Sequence, residues 1–311
     1  MMTDGNVFRV HNLSITPWLK PKGFPSSKNM KILITGSNGF IGSNIIKLLS
    51  NDTNFKFFNG NRNDIDLYST ESIERYLDEN QIDTVIHCAI EGGSRLKQDT
   101  SDVLYKNILM YENLIKFSHR YKIFINFGSG AEFDRKQNIS NVNEYDMFNI
   151  IPTDFYGLSK NVITKLSTHH PIILNLRIFG CFYYNELSTR FIRNNINNYI
   201  KNKPIIIHQD RCMDFFYMED LTNVINHFLN NSISTYKDIN MSYIKKYKLS
   251  DIANIINELS SHKVDINIEN KISELNYTGN GEKLNSLGLE LKGLEFGIKE
   301  CYEHIKYNVL H

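Results

Sequence analysis

The chain has 311 residues, too many for one small module and too few for several independent ones, so one large domain or two lobes is expected. At 41% hydrophobic and 22% charged it can build a sizeable core, which excludes global disorder. The 35 Lys and Arg against 34 Asp and Glu leave a formal net charge of +1, so there is no overall field for nucleic acid or an anionic membrane.

Residues 1–29 contain Pro17, Pro21, Pro25 and the only tryptophan, Trp18, and they lack the continuous apolar stretch of a signal peptide. They read as an N-terminal arm without an assigned role, either loosely structured or docked through Trp18. Folding logic begins at Met30. Residues 31–35 form an apolar run expected to be a buried strand, followed by a helix over about 41–49. Further strands are expected at 55–58, 84–88, 123–127 and 172–178, separated by helices near 72–79, 103–119 and 156–167. Short apolar strands alternating with helices predict an α/β fold, a doubly wound parallel sheet of the Rossmann-like kind. After about Cys181 the pattern loosens. The expected division is a dinucleotide-binding domain over 30–180 and a smaller C-terminal substrate lobe over 181–311, with segments returning to the core.

The four cysteines, Cys88, Cys181, Cys212 and Cys301, are scattered without the close pairs of zinc or redox sites. That usage points to a reduced, cytoplasmic protein. No apolar run approaches the ~20 residues that span a bilayer. The ten histidines form no Cys/His cluster, so no metal is expected.

Gly36-Ser37-Asn38-Gly39-Phe40-Ile41-Gly42 follows the first strand and opens the first helix. Gly36 permits a tight turn, Gly39 lets the backbone approach a pyrophosphate, and Gly42 lets the helix pack close to the sheet. The glycine spacing is three-and-three. In that form the turn resembles the extended, nucleotide-sugar-modifying branch of the short-chain dehydrogenase/reductase superfamily, the NAD-dependent epimerase/dehydratase enzymes.

At the end of the second strand an acidic residue suits the ribose 2′-hydroxyl of NAD, and a basic one suits the 2′-phosphate of NADP. Asn61 and Arg62 stand there, with no carboxylate before Asp64, so NADP is favoured and NAD is the alternative. Asp66-Leu67 resembles the family pair that flanks the adenine. Ala89 ends the strand that in the family runs under the cofactor.

Tyr156-Gly157-Leu158-Ser159-Lys160 projects a tyrosine and a lysine from one face of a helix. The ammonium is positioned to lower the phenol's pKa and to hold the nicotinamide ribose. A shift of ~3 units needs about 4 kcal/mol of differential stabilisation, which a buried ammonium together with the cofactor's positive ring can supply. Ser129, 27 residues upstream at a strand end, is suited to orient a reacting oxygen beside Tyr156. Asn107 matches the family's structural asparagine, which supports the lysine through water. The resemblance implies that Ser129, Tyr156, Lys160 and Asn107 are the catalytic set.

Resemblance also extends to 175–180, 213–221 and 278–288, the family's later motifs. Departures narrow the chemistry. Members that dehydrate the sugar carry an Asp-Glu pair after the active-site serine or threonine; Gly130 and Ala131 stand there. Glu132 follows and, in an extended stretch, points to the face opposite Ala131. GDP-fucose synthases carry an epimerising cysteine two residues after the serine, at the position of Ala131, and Cys181 reads as a small buried hydrophobe instead. The family's sugar-loop asparagine corresponds to Gly180, and a diphosphate arginine to Met213. Substitutes for substrate binding are Ser94 and Arg95 after the strand at 84–88, with Arg190, Arg193 and Arg211 further on.

The expected activity is NADP-dependent reduction of a nucleoside-diphosphate-linked 4-keto-6-deoxy sugar. A nucleotide-sugar 4-epimerase using the same triad is the alternative, and a non-catalytic NADP-binding protein is a third reading. The resemblance implies a homodimer built on the helices near 103–119 and 156–167.

Overall fold

Side chains along the first apolar run alternate between two cores, as a strand buried on both faces requires. In β1 (Met30–Thr35), Ile32 and Ile34 enter one core and Leu33 the other. The structure, a computed structural model, describes residues 29–94, 98–231, 236–270, 272 and 275–310. Trp18 and nearly all of the N-terminal arm lie outside the described residues.

From β1 the chain runs through α1 (Phe40–Leu49), β2 (Phe55–Gly60), α2 (Thr70–Asn80), β3 (Thr84–His87), α3 (Ser101–Ile115) and β4 (Ile123–Ser129). It continues through β5 (Ile139–Val142), α4 (Phe155–Ser167), β6 (Ile173–Ile178), β7 (Cys181–Phe182), α5 (Phe191–Ile200), β8 (Ile205–Gln209) and β9 (Phe216–Tyr217). Then come α6 (Met218–Asn230), β10 (Asp238–Met241), α7 (Leu249–Asn257), β11 (Ile266–Asn270), β12 (Tyr277–Gly279), α8 (Glu282–Asn285) and α9 (Gly293–Leu310). Six strands form one parallel sheet in the order β10-β6-β4-β3-β1-β2. The expected doubly wound, Rossmann-like α/β fold is present.

The helix expected over 103–119 is shorter. It ends at Ile115, and a separate 3-10 turn covers Ser118–Arg120. Phe117, between them, leaves helical geometry and packs against the second core, which the buried Tyr121 also joins.

The order of the strands fixes where a ligand can lie. β2 and β3 flank β1 on opposite sides, so the connections diverge at the C-terminal ends of β1 and β3 and leave a crevice there. The first core passes without a break from β1, β4 and β6 into β10, α5, α6, α7 and α9. β10 is supplied from beyond residue 181 and pairs with β6 along Asp238–Met241. Among the described residues, no helix is long and apolar enough to cross a membrane.

On the other face, apolar side chains give way to a polar row where β4, β6 and β10 run together. Asn126 Nδ2 donates to Asn175 Oδ1 (2.7 Å), and Asn175 Nδ2 donates to Asp238 Oδ1 (2.8 Å). Arg177 is fully buried. It donates from Nη2 to Asp238 Oδ2 (2.9 Å), from Nη1 to Asn240 Oδ1 (3.0 Å) and from Nε to Glu132 Oε2 (2.8 Å). Burial works against the guanidinium charge, but Asp238 and Glu132 more than offset it, so the group is held ionised. Arg177→Met leaves two carboxylates without their cation. A loss of about 3–5 kcal/mol is expected from urea denaturation. A loss under about 1 kcal/mol would show that the network adds little to stability.

Candidate active site

The turn between β1 and α1 has the geometry of an anion cradle. Gly36 has φ +64°, and a Cβ there would lie 2.7 Å from the Ala89 backbone nitrogen, so any side chain would push β1 and β3 apart. α1 starts at Gly39 with no side-chain cap, which leaves its first N–H groups directed at the crevice. The Ser37 hydroxyl is buried in the same turn and has no partner among the described residues. An orphaned donor beside uncapped N–H groups fits a pyrophosphate. Asn38, Gly39, Phe40, Ile41 and Gly42 carry the chain around this cradle, and Ala89 faces Gly36 across it.

Arg62 lies just past β2, with its side chain 84% exposed and paired with the Glu91 carboxylate. Glu91 also accepts from the Tyr68 hydroxyl (3.1 Å). The pair therefore reaches from the end of β2 to the segment after β3, over the end of β1. An ion pair this exposed contributes little, so a phosphate can compete for the guanidinium. Asn61 starts the tight turn that contains Arg62, and its backbone carbonyl accepts from both Asp64 and Ile65. Asp66 is exposed, and Leu67 is buried with its carbonyl held by Asn113 (3.1 Å).

Ser129 ends β4 and caps the 3-10 turn Gly130–Phe133. Its Oγ accepts from the Ala131 N–H (3.2 Å), and its own N–H donates to Glu132 Oε1 (2.7 Å). The Ser129 side chain lies close enough to the Tyr156 phenol to work towards lowering its pKa. Lys160 follows one helical turn later, buried, with Nζ donating to the Phe127 carbonyl (2.6 Å). Serine, tyrosine and lysine thus meet where β4 ends and α4 begins. Asn107 sits beside them, with protein partners of its own. Its Oδ1 accepts from the Glu91 N–H (2.8 Å), and its Nδ2 donates to the Glu91 carbonyl (3.1 Å) and to Ser159 Oγ (3.1 Å). It therefore ties the segment after β3 to α4.

The electrostatics of the chain itself favour the neutral phenol. Burial raises the Tyr156 pKa, outweighing the lowering by Ser129 and by Arg135. Lys160 does not bring the phenol towards neutrality in the protein by itself. Burial lowers the lysine instead, to about 8, with Glu132 only partly offsetting it. Arg135 and Asp154 carry no role in the sequence reading. Asp154 was detectable as the N-cap two residues before Tyr156, accepting from the Gly157 N–H at 2.7 Å. Arg135 left no signal.

Glu132 turns away from the reacting groups, but through a 3-10 turn into the Arg177 pair and not through an extended strand. A Cβ at Gly130 would lie 2.5 Å from the Phe179 ring and 2.8 Å from Tyr277, so a carboxylate has no room there. Ala131 is buried. Cys181 is buried too, its thiol pushed up by burial and its Sγ 3.7 Å from Met218 Sδ. A Cβ at Gly180 would lie 2.7 Å from the Asp214 carbonyl, which explains the missing asparagine. Met213 packs against an apolar cluster with Phe133, Phe179 and Tyr277, which explains the missing arginine.

Ser94 is exposed and follows Gly93, whose Cα faces the Tyr156 ring; Arg95 lies outside the described residues. Arg190 opens α5 and pairs with Glu186 at 3.8 Å, and Arg193 donates to the Glu186 carbonyl. Arg211 donates to the Leu275 carbonyl at 3.4 Å. Among the described residues no group of three or more His, Cys, Asp or Glu is arranged to hold a metal ion.

A parallel sheet with an anion cradle at its switch point, and a half-buried tyrosine and a buried lysine beside it, defines an NAD(P)-dependent oxidoreductase. The family model described as NAD dependent epimerase/dehydratase matches residues 32–242, more than half of the chain, and the chain belongs to that family. Comparison with curated proteins finds no match. Among solved structures, the chain is similar to the GDP-mannoheptose C4 reductase of Campylobacter jejuni, solved with NADP bound. The identity is 17% and the TM-score 0.77, covering 90% of this chain and 99% of that one. A GDP-L-fucose synthetase from Naegleria fowleri bound to NADP is similar at 15% identity and TM-score 0.77, covering 92% and 95%. The UDP-glucose 4-epimerase of Thermus thermophilus, in complex with NAD, is similar at 16% identity and TM-score 0.70, covering 89% and 99%. At such identities the likeness speaks for the fold.

The depressed Lys160 has a consequence for stability. Between pH 8 and its ordinary value of 10.5, the unfolded chain keeps a proton that the folded chain has released. The lysine's contribution to stability therefore rises with pH across that window, by ~3 kcal/mol in all. Denaturation at about pH 8 and about pH 10 should show this gain in the native chain relative to Lys160→Met. Identical pH dependence in the two proteins would remove this account of the lysine.

Proposed function

We propose that the protein reduces a nucleoside-diphosphate-linked 4-keto-6-deoxy sugar with NADPH. The observation that carries this reading is that Ser129 at the end of β4, Tyr156 and Lys160 on α4 converge on one place, while Gly130 and Ala131 leave no acid or base for elimination. In the crevice, the turn Gly36–Gly42 with Ser37 would hold the pyrophosphate, Arg62 the 2′-phosphate, and Lys160 the nicotinamide ribose. The bound dinucleotide supplies the hydride. Ser129 orients the keto oxygen, and Tyr156 donates its proton to that oxygen. A phenol kept neutral by burial is in the right form to act as this acid. Lys160, one turn along α4, then faces the phenolate that is left. Asn107 holds the Glu91 segment and α4 in register and is a positioning residue in this scheme. Ser94, Arg95, Arg190 and Arg211 remain the proposed substrate contacts.

The similarity to a GDP-mannoheptose C4 reductase and a GDP-L-fucose synthetase puts GDP-linked keto-sugars first among the substrates to test. Exposed apolar side chains on α3 and α4 (Tyr105, Phe155 and Leu166) support a homodimer through these helices. A cytoplasmic location belongs to the same reading.

Incubated with a nucleotide-linked keto-sugar, the protein should consume NADPH stoichiometrically. Isomerisation without net NADPH consumption would identify the 4-epimerase instead. Tyr156→Phe should lower kcat by roughly 10²–10⁴-fold and leave cofactor binding intact; full activity in this variant would end the catalytic reading. Arg62→Ala should weaken NADPH binding by ~10-fold or more, in line with the loss of a charge-assisted contact, and leave NADH binding nearly unchanged. Equal effects on the two cofactors would remove the reason for preferring NADP.

A further inference from the structure

Two ties join the segment that follows the Ser129 turn to the start of α4. Asp134, with φ +61°, is buried and accepts from the Thr153 hydroxyl (2.9 Å). The next residue, Arg135, makes a two-point contact with Asp154, Nη2 to Oδ1 at 2.7 Å and Nε to Oδ2 at 3.2 Å. Asp154 also caps α4 through the Gly157 N–H. The fork has one geometry available to it, and that geometry sets the Arg135 guanidinium 5.7 Å from the centre of the Tyr156 ring. None of this is needed to build the sheet or the anion cradle, yet it places a fixed cation over the ring of the proposed acid.

We propose that Arg135, aimed by Asp154, is a positioning residue that stabilises the Tyr156 phenolate formed when the proton leaves for the substrate oxygen. The inference rests on the reductase reading above. The step balances without further reagents. The Oη–H bond of Tyr156 breaks and an O–H bond forms on the former carbonyl oxygen. The carbonyl carbon receives the hydride with its electron pair, and the phenolate regains a proton from solvent. Arg135 neither gives nor takes a proton; it lies against the ring on which negative charge appears.

Other groups facing Tyr156 set the sign of the test. The Ser129 hydroxyl and Arg135 favour the phenolate, whereas Glu132 and Asp154 oppose it. Glu132 is already committed to Arg177, and Lys160 points its Nζ at the Phe127 carbonyl. Arg135 and Asp154 therefore pull on the phenol in opposite directions although they hold each other in place. Removing either should shift Tyr156 with opposite sign, which a purely structural clamp would not do.

The test compares Arg135→Met with Asp154→Asn, the second chosen because asparagine caps a helix as well as aspartate does. Ionisation of Tyr156 is followed by NMR of protein carrying 13C-labelled tyrosine, with the signal assigned by its absence in Tyr156→Phe. The pH profile of kcat is recorded alongside. Arg135→Met is expected to move the Tyr156 midpoint up by about one pH unit, a ~10-fold change, and Asp154→Asn to move it down. Shifts in the same direction, or none in either variant, would overturn the proposal. If Arg135→Met does not fold, a downward shift in Asp154→Asn supports the proposal, and its absence overturns it. Opposite shifts in a protein that reduces no keto-sugar would sustain the charge coupling and sink the reductase reading, so the two failures are distinguishable.

Discussion

The buried Arg177 holds three separate parts of the chain to one geometry. Its guanidinium joins Glu132 after β4, Asp238 and Asn240 on β10, and its own strand β6. Glu132 in turn accepts the Ser129 N–H, so the position of the proposed oxygen-orienting serine is tied to an ion pair in the interior. A guanidinium without solvent needs every donor matched, and here the matches are spread over about a hundred residues of sequence. That makes the turn after β4 stiff. It also commits the Glu132 carboxylate, beside the serine, to a structural task, away from acid–base chemistry.

Around this anchor several polar groups are withdrawn from water. Lys160 is charged at a cost, its ammonium facing one backbone carbonyl. Tyr156 is kept neutral, Ser37 lacks a partner among the described residues, and the first N–H groups of α1 have no side-chain cap. Each is a polar group desolvated ahead of need, which is the form electrostatic preorganisation takes. The close-packed neighbours act in the same direction by exclusion. Phe179 and Tyr277 leave Gly130 no space for a side chain, and the Asp214 backbone does the same at Gly180. Positions at which relatives carry acids or amides are therefore filled by packing in this chain, and changing them back would require the core to move.

Much of the fold was legible because it is written in local periods. Ile32, Leu33 and Ile34 alternate between two cores, as a strand covered on both faces must, and the glycine turn follows at the strand end. The four-residue spacing of Tyr156 and Lys160 needed only a helix to bring them to one face. The helix over 103–119 was read too long because Phe117 looks helical by sequence and is instead drawn into the second core. The direct contacts of Asn107 were not legible for a related reason. Its partners, Glu91 and Ser159, come from two other elements, and nothing in its own neighbourhood of sequence names them.

By itself the sequence determined the layer order of strand and helix, the glycine cradle and the tyrosine–lysine face. Each depends on residues within a few positions of one another, where backbone geometry alone sets the distance. Only the tertiary structure decided which charges meet. The Arg177–Glu132 pair, the Arg62–Glu91 pair and Arg135 beside Tyr156 join residues 45, 29 and 21 positions apart. It also decided the balance in which burial outweighs the neighbouring cation and keeps Tyr156 protonated. Desolvation is a property of everything packed around a group, and no spacing of residues along a chain reports it.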